Sequence, residues 1–291
     1  MSAADDTPPA RRVNRGRGHS YEIDGRKVDG VTTVLDDGIP MGRGLVNWIA
    51  NAAVVYAEDH WDELVAATPS ERRRAMEGAR FETSKSALAK GTTIHNLAMR
   101  LAAGEEVDVP EEISGYIDAY LLFVEEWQPR ELLVETPVFN RTHRYAGTPD
   151  LIADLADGWR WMLDWKSGGK GIFPEAAVQL AAYRNAEFYV DSLGRERALP
   201  DVDLCGCVWL RADGYDLYRV DAGERTFRVF QYAQQLARFG RDPRDLYISE
   251  AATPPRPGAG RTASLPHGPA NSSRARSAPE ARSAQPSSEA A

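Results

Sequence analysis

The sequence predicts an α/β protein in which a mixed sheet is flanked by helices and preceded by a helical N-terminal portion. Apolar residues recur with a helical period over residues 40–128, whereas short apolar or alternating runs, typical of strands, dominate residues 130–240. The hydrophobic fraction of 43% in a chain of 291 residues is sufficient for a sizeable core. Strands interleaved with helices in this order favour a layered arrangement around a mixed sheet.

The two ends of the chain differ in composition from the region between them. Residues 1–18 are polar and rich in Pro, Arg and Gly, and residues 251–291 are of low complexity with almost no bulky apolar side chains. Such segments bury too little surface to offset the entropy of ordering, so both are predicted to be disordered. Residues 19–250 are predicted to form one domain without internal repeats.

The helical portion follows a predicted β-hairpin, whose turn is Asp24–Gly25, and a short loop. Helices are predicted over residues 42–67 (one or two helices), 68–91, 92–106 and 110–129. Thr68 or Ser70 is expected to cap the second of these segments, and Gly91 is expected to lie near a break.

The sheet core over residues 130–240 combines strands with two helices. Strands are predicted over 130–140, 147–156, 159–167 and 204–221, and helices over 174–190 and 224–240.

Composition limits the classes of function. No run of about 18 apolar residues is present, and the N-terminus lacks the apolar stretch of a secretory signal, so a cytoplasmic protein without a membrane partner is expected. The formal net charge of −8 argues mildly against a nucleic-acid partner. It does not exclude one, because an enzyme can bring divalent cations to an acidic site and confine its arginines to one groove.

Cys205 and Cys207 are the only two cysteines in the chain. Two residues apart in a predicted strand, they point to the same face. Two thiolates do not complete a four-ligand zinc or iron–sulfur site, so buried structural cysteines are expected.

Asp150, Asp164 and Lys166 are the residues that carry the predicted chemistry. Asp164 and Lys166 are two apart in a strand and therefore share a face. A two-residue turn at Asp157–Gly158 would pair Asp150 with Trp165, on the wrong face. A three-residue turn with Gly158 in the left-handed region instead pairs Asp150 with Lys166, on the face of Asp164, and this register is predicted.

Two carboxylates and an ammonium on one sheet face favour chemistry over structure. Oxygen ligands of this kind suit Mg²⁺ or Mn²⁺, which activate water and neutralise charge on a phosphate. Lys166 could hold or deprotonate the attacking water, or stabilise the transition state. The alternative is that Asp-x-Lys is an ordinary surface pattern.

Two other segments add polar groups. Gln179 and Tyr183 are one helical turn apart and could hydrogen-bond a phosphate or orient a metal-bound water. The alternative is that they are ordinary polar residues at the border of the buried face of the helix. His95 lies beside the apolar stripe of its predicted helix, with Thr92 as a possible cap. A lone histidine there is more often packed or exposed than a ligand.

Four short segments in this order, "GTTIH", "GTPD", "LDWKSG" and "QLAAY", resemble the motifs of the PD-(D/E)XK nuclease superfamily. The resemblance spans roughly residues 21–183 and is to the RecB-like, phage-type exonuclease branch, which is related to CRISPR-associated exonucleases. It implies a restriction-endonuclease-like mixed sheet flanked by helices.

The resemblance also implies roles for individual residues. The implied metal ligands are His95, Asp150, Asp164 and the backbone carbonyl of Trp165. The implied catalytic and substrate-side residues are Asp150, Asp164, Lys166, Gln179 and Tyr183, with Glu135 as a site-lining residue of uncertain role. Many CRISPR-associated relatives bind an iron–sulfur cluster through four cysteines, and this chain has two, so no iron–sulfur cluster is predicted.

The implied activity is that of a Mg²⁺- or Mn²⁺-dependent DNA exonuclease in recombination, repair or phage DNA metabolism, in the host cytoplasm if the chain is phage-encoded. The implied partners are DNA ends, single- or double-stranded, and a possible recombination protein. Arg80 and Arg144 are candidates for contacts to the DNA backbone. A restriction-like endonuclease and a non-catalytic DNA-binding subunit of the same fold are the alternatives. Oligomeric state and digestion polarity are left open.

Overall fold

The computed structural model describes residues 10–16, 18–40, 42–102, 105–167 and 171–248. Some helical side chains, among them those of residues 80–90 and His95, lie outside this description. The protein has the α/β class, with mixed sheets flanked by helices.

Twelve strands occur in the described residues: β1 Ala10–Arg15, β2 Gly18–Ile23, β3 Arg26–Gly30, β4 Arg130–Val134, β5 Val138–Asn140, β6 Tyr145–Gly147, β7 Leu151–Asp154, β8 Arg160–Lys166, β9 Phe188–Val190, β10 Glu196–Ala198, β11 Leu204–Arg211 and β12 Gly214–Arg219. Seven α-helices occur in the same residues: α1 Val31–Gly38, α2 Arg43–Asp59, α3 Trp61–Ala66, α4 Pro69–Ala102, α5 Glu111–Trp127, α6 Glu175–Arg184 and α7 Glu224–Arg241.

The strands form two sheets where one was expected. One has seven strands in the order β1-β2-β3-β6-β5-β9-β10, and the other has five in the order β12-β11-β8-β7-β4. Both are mixed, because β3 and β6 pair in parallel in the first and β8 and β11 pair in parallel in the second. The chain crosses from one sheet to the other between β4 and β5 and again between β6 and β7.

Alternation along β8 directs side chains to two separate cores. Leu163 packs in a cluster with Ile94 of α4 and Phe123 of α5. Met162 packs in a second cluster with residues of α1, α6 and α7, among them Leu180. Because Asp164 is two residues beyond Met162, its side chain lies on the face covered by α6.

Several local predictions are confirmed. Asp24 and Gly25 both have positive φ, 50° and 69°, and join β2 to β3 as a two-residue turn. Thr68 caps α4 through a capping box: its Oγ1 accepts the Glu71 N–H at 3.4 Å, and its own N–H donates to Glu71 Oε2 at 3.0 Å. Helix α5 ends at Trp127, just before Pro129.

Other predictions are wrong, and for the first two of them contacts with other segments are the reason. Residues 10–15, predicted to be disordered, form β1, whose six residues pair with β2. Residues 31–38, placed in the predicted hairpin and the short loop after it, form α1, because Val31 and Val34 bury against the α6 side of the core. Helix α4 continues through Gly91 with no break, so Thr92 lies inside the helix and not at its start.

The predictions for residues 1–9 and 251–291 lie outside the described residues. The chain divides into two compact units, residues 1–240 and 241–291. In the described part of the second unit, a short 3₁₀ turn spans Arg244–Leu246 and Tyr247 Oη donates to Asp242 Oδ2 at 2.6 Å. None of the helices described is both long enough and apolar enough to cross a membrane.

Candidate active site

The β7–β8 hairpin brings Asp150 and Asp164 to one face. Residues 156–158 connect the strands as a three-residue turn, closed by the Leu155 N–H to the Trp159 carbonyl at 3.0 Å, and Gly158 has φ of +85°. The turn has the predicted length and the predicted left-handed Gly158, but it occupies residues 156–158 where the predicted register requires 157–159, so that register is wrong. Leu151 pairs with Leu163, so one step further Asp150 lies level with Asp164 and not with Lys166. The difference is two residues, because the turn is centred on Asp157 and not on Gly158, and a shift of two keeps the side chains on the same face.

Asp150 is anchored at both its side chain and its backbone. Its Oδ2 accepts a hydrogen bond from the Trp165 N–H at 2.8 Å, and its carbonyl accepts one from the Glu135 N–H at 3.0 Å. In a strand, the N–H and the C=O of the same residue point toward the same neighbouring strand. The Trp165 carbonyl therefore also faces the Asp150 side of β8, past the last β7–β8 pair.

Asp164 and Lys166 form a mostly buried ion pair. Asp164 is 3% exposed, and its Oδ2 lies 2.5 Å from Lys166 Nζ. Among the described residues no group forms a hydrogen bond of regular geometry with this buried oxygen. An ionised oxygen with one cation beside it and an unused acceptor site is suited to a second cation.

Lys166 is also linked to α6. Its Nζ donates to Gln179 Oε1 at 3.4 Å, and Gln179 Nε2 donates to Tyr183 Oη at 3.0 Å. Gln179 and Tyr183 are one helical turn apart, which places both side chains on the helix face toward β8. The order Asp164, Lys166, Gln179, Tyr183 is therefore a continuous polar chain from strand to helix.

Gly147 allows Tyr183 to pack under this chain. A Cβ at Gly147 would lie 2.2 Å from Tyr183 Cε1, so no larger residue fits without displacing the ring. Tyr183 is 2% exposed, and its burial raises its pKa far above the ordinary value, so its hydroxyl stays neutral. Close packing of the Tyr183 ring thus explains why the first residue of the "GTPD" segment is a glycine.

The charges of the site are unevenly compensated. Burial, followed by repulsion from Asp164, raises the pKa of Asp150 to about 8, against the opposing effects of the Trp165 hydrogen bond and the Lys166 charge. Burial alone would lower the pKa of Lys166, but attraction to Asp164, with smaller contributions from Cys207 and Asp150, outweighs it and raises the pKa. A protonated Lys166 suits the holding and stabilising roles better than that of a base.

The donor set fits a hard divalent cation. Asp150, Asp164 and the Trp165 carbonyl supply oxygen atoms only, which Mg²⁺ and Mn²⁺ prefer. Within the described part of the chain, no group of three or more His, Cys, Asp and Glu side chains could hold a metal ion. A cation here would therefore rely on two carboxylates, a backbone carbonyl and water.

His95 lies in α4, and its side chain is outside the described residues. Its neighbour Ile94 is 1% exposed and packs in the cluster that contains Leu163. One turn earlier, a Cβ at Gly91 would lie 3.2 Å from Ser167 Oγ, so α4 passes close to the end of β8.

The remaining predicted residues lie as follows. Glu135 follows β4, is exposed and has a positive φ of 42°, and its charge contributes to the raised pKa of Asp150. Arg144 also has a positive φ, 58°, and its carbonyl accepts the Asp29 N–H at 3.3 Å. The Arg80 side chain lies outside the described residues.

Cys205 and Cys207 are both buried, as expected. Cys207 lies directly beside Asp164 in the parallel β8–β11 ladder. Burial, with a further contribution from Asp164, raises the pKa of Cys207 to about 12, which keeps it a neutral thiol. The neutral Cys207 side chain therefore contributes apolar surface beside the buried Asp164 carboxylate.

Sequence reasoning missed Tyr21 and Thr148, whose hydroxyl oxygens are 2.9 Å apart and of which Thr148 precedes Asp150 by two residues. The "GTPD" segment contains Thr148, but no local pattern connects it to a tyrosine 127 residues earlier.

No protein-family model matches this chain, and no curated protein matches it either.

Proposed function

We propose that the protein is a divalent-metal-dependent deoxyribonuclease, and specifically a DNA exonuclease built on a restriction-endonuclease-like core. The observation that carries the proposal is the convergence of Asp150, Asp164 and Lys166 at the ends of β7 and β8, with Lys166 hydrogen-bonded to Gln179 of α6. Two carboxylates beside an ammonium, partly buried, are a combination that functional sites favour and structural cores avoid.

The carboxylates would hold the cation. Asp150 and Asp164 lie level on adjacent strands, and the Trp165 carbonyl faces the same edge, so these three groups are the oxygen donors that would hold the cation. A bound Mg²⁺ or Mn²⁺ supplies a water of lowered pKa and neutralises charge on the phosphate. The raised pKa of Asp150 supports this assignment, because a nearby divalent charge would stabilise its ionised form.

Lys166 would bind the phosphate. Its ammonium stays charged beside Asp164, and its third donor hydrogen can reach a phosphate oxygen, where it stabilises negative charge that develops during hydrolysis. Gln179 orients the lysine through its Oε1, and Tyr183 in turn orients the Gln179 amide. The hydrogen bond between Lys166 and Gln179 thus sets the direction in which the ammonium group points toward the phosphate.

The choice of DNA ends as the substrate rests on the resemblance of four motifs. Because the formal net charge is −8, we expect substrate contact to be confined to a narrow groove near the site and not spread over a broad basic face. The same core would serve an endonuclease or a non-catalytic DNA-binding subunit.

The test is digestion of end-labelled linear duplex and single-stranded DNA, and of closed circular DNA, with Mg²⁺ or Mn²⁺. We expect release of short products from linear substrates, no cleavage of closed circles, and loss of activity in Asp164→Ala. Asp108→Ala, at an exposed aspartate, is the matched control. Cleavage of closed circles would favour the endonuclease, and DNA binding without hydrolysis in Mn²⁺ would favour the binding subunit.

A further inference from the structure

The hydroxyl of Tyr21 contacts the segment that carries Asp150. Tyr21 lies on β2 in the N-terminal hairpin, and its Oη is 2.9 Å from Thr148 Oγ1, two residues before Asp150. The contact joins positions 127 residues apart and is partly buried. It therefore links the N-terminal hairpin to the candidate site directly.

This segment is one of the connections between the two sheets. Strand β6 ends at Gly147 in the seven-stranded sheet, and β7 begins at Leu151 in the five-stranded sheet. Thr148 and Asp150 belong to neither ladder, so side-chain contacts and the Glu135 N–H to the Asp150 carbonyl hold this backbone in place. The direction of the Asp150 carboxylate depends on such contacts.

The ring of Tyr21 is held by apolar packing, and its hydroxyl makes the contact with Thr148. The residue is 5% exposed and packs in a cluster with Val28 and Phe139, whose ring meets it edge-on at 6.3 Å. A Cβ at Gly30 would lie 3.6 Å from the Tyr21 ring. Replacing Tyr21 by Phe would leave these apolar contacts and remove the link to Thr148.

We propose that Tyr21 is a positioning residue, which acts through Thr148 to orient the Asp150 carboxylate for binding a divalent cation. The inference rests on the proposed function. Residues that hold metal ligands in place contribute to affinity nearly as strongly as some ligands do, because a misdirected carboxylate must reorganise on binding. The contact from Tyr21 is of this kind.

The test measures Mn²⁺ binding by calorimetry, with no DNA and no activity readout. We expect the Kd for Mn²⁺ to rise on the order of tenfold in Tyr21→Phe. Tyr215→Phe is the matched control, because its hydroxyl donates to Glu126 from the edge strand β12. We expect its Kd to equal that of the unmutated protein.

A double-mutant cycle tests the route through Thr148. Thr148→Val should weaken Mn²⁺ binding as Tyr21→Phe does, and the double variant should be no weaker than either single variant. Thr148→Ser retains the hydroxyl and should bind as the unmutated protein does. Additive effects would overturn the route through Thr148.

The outcomes separate this inference from the proposed function. Binding that is lost in Asp164→Ala but unchanged in Tyr21→Phe overturns the role of Tyr21 and leaves the metal site standing. A lower melting temperature of Tyr21→Phe with an unchanged Kd does the same, because it identifies a purely structural contact. Absence of Mn²⁺ binding by the unmutated protein removes the proposed function and this inference together.

Discussion

Asp164 Oδ2 and Lys166 Nζ lie 2.5 Å apart at the end of β8, with the carboxylate buried and the lysine side chain about one-third exposed. The pair is asymmetric: one partner is enclosed by the sheet and the other reaches outward toward solvent. Lys166 can therefore contact a substrate while Asp164 stays fixed. This asymmetry underlies the first prediction.

Lys166→Ala should abolish DNA hydrolysis, with a loss of at least about 100-fold, because it removes the cation that would stabilise charge on the phosphate. It should also lower the free energy of unfolding, since Asp164 is left buried without its partner. Single-turnover digestion and urea unfolding measure the two effects. Lys27→Ala, at an exposed lysine of β3, is the control.

The double variant Lys166→Ala/Asp164→Asn separates stability from activity. It should recover most of the lost stability, because no buried charge remains, and it should stay inactive. Unchanged hydrolysis by Lys166→Ala alone would contradict the proposed site.

Asp150→Asn should remove a pH dependence of stability measured in EDTA. The pKa of Asp150 is raised from 3.8 to about 8, so between these values the folded chain retains a proton that the unfolded chain has lost. This contribution is fully present below about pH 4 and disappears as the pH rises through 8. Asparagine does not titrate, and its Oδ1 can still accept the Trp165 N–H.

Urea unfolding between pH 5 and 8 measures this effect. The free energy of unfolding of the unmutated protein should fall with pH relative to Asp150→Asn, whereas Asp108→Asn, at an exposed position, should follow the unmutated protein. Parallel profiles for the unmutated protein and Asp150→Asn would show that Asp150 titrates normally.

Gln179→Ala should reduce hydrolysis about tenfold and change stability little, because it frees the Lys166 ammonium from its hydrogen bond at 3.4 Å without exposing a buried charge. Hydrolysis rates at saturating Mn²⁺ measure the effect. Gln235→Ala, an exposed glutamine of α7, is the matched control. A rate equal to that of the control would leave Gln179 without a role in the site.

Gly147→Ala should destabilise the fold by about 1–3 kcal/mol, because the added Cβ would lie 2.2 Å from the Tyr183 ring in a packed core. Gly18→Ala is the control, since a Cβ there meets nothing within 4 Å. Chemical denaturation compares the two variants. Equal stabilities would show that the Tyr183 ring moves aside freely.

Local rules account for the parts of the site that were predicted from the sequence. The period of two in a strand places Asp164 and Lys166 on one face, and the helical turn places Gln179 near Tyr183. Gly158 adopts the left-handed conformation that a three-residue turn requires, and Asp24–Gly25 form the two-residue turn of the first hairpin. Each of these depends on backbone geometry over a few residues.

The predicted register of β7 against β8 places Asp150 on the correct face of the sheet but opposite the wrong residue of β8. Face depends only on whether the shift is even, so the hydrophobic pattern determines it. The partner depends on which residue is at the centre of the turn, and the hydrogen bond from the Leu155 N–H to the Trp159 carbonyl places Asp157 there instead of Gly158. The sequence pattern is therefore compatible with either of the two registers.

The amino-acid sequence by itself determined the α/β class, the hairpin turns and the identity of the polar groups that share a strand face or a helix face, because these follow from local backbone geometry. The tertiary structure alone decided that the strands form two sheets with β3 paired to β6, that Ala10–Arg15 pairs with β2, and that Tyr21 reaches Thr148. Such contacts join distant segments, and their free energy comes from burial and hydrogen bonds that exist only once those segments have packed together.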